Sequence, residues 1–155
     1  MTAKSQSAVS SRLDSAVFAV AAVPAQQAYK LLHVAFVAIP TIAGLDKFSR
    51  SLCNWGQYLA PQVARASPIS GYHLMFFIGL LEIAAGLLVV LKPRIGGLVL
   101  AAWFGGIIVN LLLLGKFYDV ALRDVGLLLA AIALSRLATT FSFGSPGVPR
   151  VRTLQ

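Results

Sequence analysis

Residues 72–91 read YHLMFFIGLLEIAAGLLVVL, a run whose single charge is Glu82. A helix crossing about 30 Å of hydrocarbon needs roughly 20 predominantly apolar residues, so this stretch predicts a membrane span. The same reading extends outward. Residues 95–114, IGGLVLAAWFGGIIVNLLLL, carry no charge. Residues 120–138, VALRDVGLLLAAIALSRLA, form a third run, interrupted by Arg123 and Asp124 near its start and Arg136 near its end. Upstream, Lys30 to Leu45 is a shorter apolar run. It continues helically to about Leu52 if Lys47 and Arg50 reach to the interface, and Pro40 inside it predicts a kink. Nothing alternates with the period of a strand, which argues against a barrel. The expected fold is all-α, an integral membrane four-helix bundle over residues 30–140. An N-terminal interfacial segment (1–29) precedes it and an irregular, Gly- and Pro-containing tail (141–155) follows.

Composition supports this reading. Of 155 residues, 58% are hydrophobic and 12% charged, with a mean hydropathy of +0.82. A soluble domain carries about 25% charged residues, so a water-soluble enzyme with a conventional polar surface is excluded. A disordered chain needs low hydrophobicity and is excluded too. The lone cysteine, Cys53, rules out an intrachain disulfide framework, a CxxC pair and a cysteine-based zinc cluster. The net charge of +8 does not point to nucleic acid, because the Lys and Arg residues flank the apolar runs, where membrane proteins keep them.

The two later connections, Lys92 to Arg94 and Gly115 to Asp119, are short and make the last three helices antiparallel neighbours. The first, Asp46 to Gly71, is long and holds Trp55, Tyr58, Arg65, Pro61 and Pro68. It reads either as a re-entrant or interfacial cap on one end of the bundle or as a loose loop. With both termini inside, the inner side holds Lys4, Arg12, Lys30, Lys92, Arg94, Arg136, Arg150 and Arg152, and the outer side Lys47, Arg50, Arg65, Lys116 and Arg123. This balance favours cytoplasmic termini. At the N-terminus the mild apolar stretch Ala16 to Val23 admits a signal peptide ending near Val23-Pro24-Ala25. Asp14 and the Ala-rich character favour instead an interfacial helix over about Leu13 to Lys30.

Helices in lipid meet through small residues. Gly97, Ala101 and Gly105 recur every four residues, and Ala102, Gly106 and Asn110 form the adjacent stripe. Gly79 and Gly86 on one helix and Gly126 and Ala130 on the last complete the set. These stripes are expected to pack within the bundle or, in one case, against another subunit.

Polar residues inside spans are costly and face the bundle interior. Glu82 is central and shares a face with Gly79 and Gly86. Asp46, Lys47, Asn110, Arg123 and Asp124 all fall in the outer half. The expectation is one polar cluster of Asp46, Lys47, Glu82, Asn110, Arg123 and Asp124, opening outward. In a structural reading Glu82 pairs with Arg123 or Lys47, or is protonated, and fixes helix register. In a functional reading the cluster binds a polar headgroup or relays protons. His33 and His73 should lie at opposite membrane faces and cannot jointly ligate a haem. No phosphate loop, nucleophile elbow, HExxH or other metal or catalytic constellation is present.

Three stretches carry a family resemblance: Gly44-Leu45-Asp46-Lys47-Phe48, Gly79-Leu80-Leu81-Glu82-Ile83-Ala84-Ala85-Gly86, and Ala121-Leu122-Arg123-Asp124-Val125-Gly126. Over roughly Lys30 to Ala138 the chain resembles the DoxX family of small bacterial and archaeal membrane proteins. The resemblance implies a four-helix bundle in a bacterial-type inner membrane. It also implies an accessory role beside a redox or quinone-linked complex, with other membrane subunits as partners, no cofactor of its own and room for a quinone or lipid at the polar cluster. Relatives that handle thiols use paired cysteines, which a chain with Cys53 alone does not offer. A small proton-coupled carrier, which would require a homo-oligomer, and a free-standing membrane oxidoreductase are the alternatives.

Overall fold

The computed structural model describes residues 3–142; of residues 3–12, 14–16, 18 and 19 it describes the backbone alone. Most of the expected irregular tail (143–155) lies outside the described residues, and Phe141 and Ser142 follow the last helix without regular structure. Among the described residues the chain is helical throughout: α1 (Ala3–Ser49), a 3₁₀ turn (Trp55–Tyr58), α2 (Pro61–Ala66), α3 (Gly71–Leu91), α4 (Pro93–Leu114) and α5 (Tyr118–Leu137). Three helices are long and apolar enough to cross a membrane: the Val20–Ser49 part of α1, α3 and α4. This marks a membrane protein whose exposed Leu, Ile, Val and Phe side chains face lipid. Helix α5, expected as a span, carries Asp119, Arg123, Asp124 and Arg136 and is not among those three.

Helix α1 has no break near Lys30, where the sequence suggested a boundary between an interfacial segment and a span. It runs unbroken for 47 residues, about 70 Å at 1.5 Å per residue. Two features explain its continuity. No glycine occurs before Gly44, and Pro24 is embedded in a stretch rich in Ala, Gln, Lys and Leu, which are good helix formers. Beside Pro40, Thr41 Oγ1 donates to the Val37 carbonyl at 2.6 Å. The proline leaves one carbonyl unbonded in this turn, but does not end the helix.

The most extensive helix contacts pair α1 with α3 and α4 with α5. Lesser contacts of α3 with α4 and of α1 with α5 close the ring. The α1–α3 pair meets at two glycines. A Cβ at Gly44 would stand 2.6 Å from the Gly79 carbonyl oxygen, and one at Gly79 would stand 2.8 Å from the Gly44 carbonyl oxygen. Only bare backbones approach this closely. Gly86 repeats the pattern against Val37 and Thr41, and Gly97 against Ala131 of α5. Ala101 is buried in the core.

Gly105 packs in ordinary contact with α5, where a Cβ would meet Leu128 Cδ1 at 3.7 Å, whereas the expectation is corrected at Gly106 and Gly126, where a Cβ would meet nothing within 4 Å. The first stripe packs most closely at Gly97, where a Cβ would stand 2.8 Å from the Ala131 carbonyl oxygen. Gly126 faces outward.

The core fills one end of the molecule, the end of the α3–α4 turn. Tyr29 and Phe36 of α1, Val89 of α3, Leu100 and Phe104 of α4, and Ala131 and Leu134 of α5 are packed there. Phe36 and Phe104 meet edge-on at 6.2 Å between centroids, a favoured aromatic geometry. His33 sits in this end with its Nδ1 3.3 Å from the Tyr29 hydroxyl. His73 lies at the other end against Ser70 Oγ.

Candidate functional site

At the first-loop end the pairs α1–α3 and α4–α5 part, and a cavity of about 840 Å³ opens between them. Five of the six polar residues expected to cluster line it: Lys47, Glu82, Asn110, Arg123 and Asp124. Its apolar wall comes from Met75, Ile78, Val99, Phe104, Ile107 and Val120. The second small-residue stripe, Ala102, Gly106 and Asn110, faces this space and not another helix.

Glu82 is buried on α3 and bonded from two sides. Lys47 Nζ of α1 donates to Oε2 at 2.6 Å, with both side chains nearly inaccessible. Trp103 Nε1 of α4 donates to Oε1 at 3.4 Å. The ammonium also stands 3.7 Å from the centroid of the Trp55 ring, so the cation is shared between a carboxylate and a π-face. Between Lys47 and Arg123, the two partners weighed for Glu82, the structure selects Lys47. Arg123 does not reach Glu82: its side chain is 70% exposed, and its Nε lies 3.9 Å from Asp124 Oδ1. Successive helical positions point about 100° apart, so burying Asp124 turns Arg123 outward.

Asp46 belongs to a different structure. Its Oδ1 accepts from the Ser51 and Leu52 backbone N–H groups at 2.8 and 2.9 Å and from Ser49 Oγ at 3.1 Å. Its Oδ2 accepts from Trp55 Nε1 at 2.7 Å. It closes the end of α1, where Arg50 takes a left-handed φ of 55°, and aims Trp55 over Lys47.

Asn110 ties the first loop to α4. Its Nδ2 donates to the Tyr58 carbonyl at 2.6 Å and its Oδ1 accepts from the Ala60 N–H at 3.0 Å. Ala60 is consequently fully buried. Tyr58 packs on Phe117 at 4.8 Å between centroids. The loop is thus an ordered cap, as in the re-entrant or interfacial reading, and its Cys53, Trp55, Tyr58 and Leu59 form one wall of the cavity. Burial pushes the Cys53 thiol above its ordinary pKa, and the Asp46 charge adds to this.

Sequence reasoning missed Trp103. The signal was its spacing of seven from Asn110, with Gly106 between, which places all three on one helix face. The Lys47 to Trp55 contact had no comparable signal, since it depends on the turn that Asp46 builds. Comparison of this chain with profiles of known families, with curated proteins and with solved structures finds no match.

Proposed function

We propose that this chain is a small accessory subunit of a redox or quinone-linked membrane complex, and that its cavity holds the polar head of a quinone-class molecule. In this reading α1, α3, α4 and α5 form a four-helix bundle in a bacterial-type inner membrane, with both termini cytoplasmic, as the distribution of Lys and Arg favours. The observation that carries it is the cavity itself. Its volume of about 840 Å³ falls within the ordinary range of ligand sites, which are mostly apolar with a few placed polar groups. Here the wall is aliphatic and aromatic, and the polar groups Glu82, Trp103, Asn110 and Asp124 lie at helix depth. The resemblance of the Gly44–Phe48, Gly79–Gly86 and Ala121–Gly126 stretches to DoxX proteins supports the redox setting.

The packed end argues against the carrier alternative. Val89, Leu100 and Leu134 are fully buried there, so the cavity has a floor and not a second mouth.

Intrinsic fluorescence tests the reading. The two tryptophans of the chain, Trp55 and Trp103, both line the cavity. Decylubiquinone added to the protein in nanodiscs is expected to quench them saturably, and empty-disc partitioning supplies the baseline. Quenching that rises linearly without saturation refutes the site. Purification in mild detergent from native membranes tests the accessory role, which requires redox-cofactor-bearing subunits to accompany the chain.

A further inference from the structure

The hydrogen-bonding groups of the cavity are unequally satisfied. Glu82 receives Lys47 and Trp103. Asn110 is engaged through both its oxygen and its nitrogen. The Trp55 N–H is given to Asp46. Asp124 is the exception. Its side chain is 8% exposed, it lines the cavity, and among the described residues no hydrogen bond reaches it. Arg123 Nε, at 3.9 Å, is beyond hydrogen-bonding distance. No side-chain oxygen among the described residues is both fully buried and unpartnered, so the Asp124 carboxylate opens onto the cavity, where it is free to accept a hydrogen bond. An occupant of the cavity that carries a donor would meet it there.

The chemistry of that donor follows from the charges around it. Lys47 and Arg123 balance Glu82 and Asp124, and α4 presents the neutral Asn110 and Trp103. A cationic ligand is therefore not required. A neutral hydroxyl is sufficient, because a carboxylate accepts only. Quinones offer carbonyl oxygens and no donor, whereas their reduced forms carry two hydroxyl groups.

We propose that Asp124 accepts a hydrogen bond from a ligand hydroxyl, and that the cavity therefore binds the reduced, dihydroxy form of a quinone-class ligand in preference to the oxidised form. This rests on the quinone-class reading above and concerns binding alone.

The test uses the full-length protein in nanodiscs under anaerobic conditions. Decylubiquinone quenches the two tryptophans, and decylubiquinol is titrated in to displace it. The expected result is an affinity for the quinol about tenfold higher than for the quinone, the factor a charge-assisted hydrogen bond supplies at the low end of its range. In Asp124→Asn that ratio should fall to one or below, because the amide loses the charge and gains an N–H donor for a quinone carbonyl. Equal affinities in the wild type overturn the inference, as does a preference for the quinone, which a protonated Asp124 would produce. The wild-type ratio decides the matter even if Asp124→Asn fails to fold. Absence of saturable quenching is a different result, because it removes the quinone-class reading itself.

Discussion

The same four long helices build a filled end and a hollow one. At the α3–α4 turn, Val89, Leu100, Ala131 and Leu134 are fully buried. At the first loop, α4 and α5 draw away from α1 and α3, and Trp55, Tyr58 and Leu59 wall one side of the open space between them. Small residues occur at both ends, and within the hollow end itself they do opposite things. Gly97 lets α4 touch the backbone of α5, and Gly44 and Gly79 let α1 touch α3, whereas Gly106 has no neighbour and contributes empty volume. What a small residue does in a membrane helix depends on what stands opposite it.

The largest effect should come from breaking the closest contact. Gly79→Val sets a side chain against the Gly44 carbonyl and Lys47 Cβ, and backbone cannot yield cheaply. The folded species should vanish from size-exclusion profiles. Gly106→Val adds the same atoms to open space, so the melting temperature should move by no more than about 3 °C while quinone-induced quenching weakens.

The ion pair that spans the hollow end gives the next effect. Lys47→Met leaves Glu82 with the Trp103 N–H alone, and removing one partner of a buried pair costs about 3–5 kcal/mol. The double substitution Lys47→Met with Glu82→Leu should recover most of that loss. Thermal unfolding in detergent measures both, and a double variant no better than the single one would show that the pair does not act as a unit.

Asn110→Leu should have a smaller and more local effect. It removes the two hydrogen bonds that tie the loop to α4, a loss of about 1–3 kcal/mol. The helices should stay intact while trypsin cleavage after Arg65 accelerates. Unchanged proteolysis would mean that Tyr58 and Phe117 hold the loop unaided.

The smallest effect concerns Cys53. With its pKa raised by burial, a smaller fraction is thiolate at any pH near neutrality, and the thiolate is the reactive form. Alkylation should be slower than in the unfolded chain, accelerate with rising pH, and slow further when the cavity is occupied. A rate equal to that of the unfolded chain would place Cys53 outside the cavity wall.

Much of this architecture could be read from residue patterns, for identifiable reasons. Helix length and apolar character are local, so α3 and α4 emerged within a residue or two of their ends. The convergence of Lys47, Glu82, Asn110 and Asp124 was legible because polar side chains in apolar helices turn inward, whereas Arg123, one position from the buried Asp124, is turned outward. The partner of Glu82 was not fixed, because the choice between Lys47 and Arg123 depends on helix rotation. The role of Asp46 was misassigned because its partners, Ser51, Leu52 and Trp55, belong to a turn that no periodicity encodes. The continuity of α1 through Lys30 was hidden by a change in hydrophobicity that accompanies no change in backbone.

The Lys47–Glu82 pair also constrains biogenesis. Glu82 alone is expensive near the middle of α3, where insertion scales give about 3 kcal/mol for a charged side chain, whereas Lys47 stands in the last turn of α1. The two are 35 positions apart on successive long helices, so as the chain emerges Lys47 precedes its counter-ion by the whole first loop. Helix α1 must wait near the interface, with its ammonium hydrated, until α3 arrives. The pair is buried where the Gly44 and Gly79 backbones close on one another, so burial of the ammonium and docking of α1 on α3 go together.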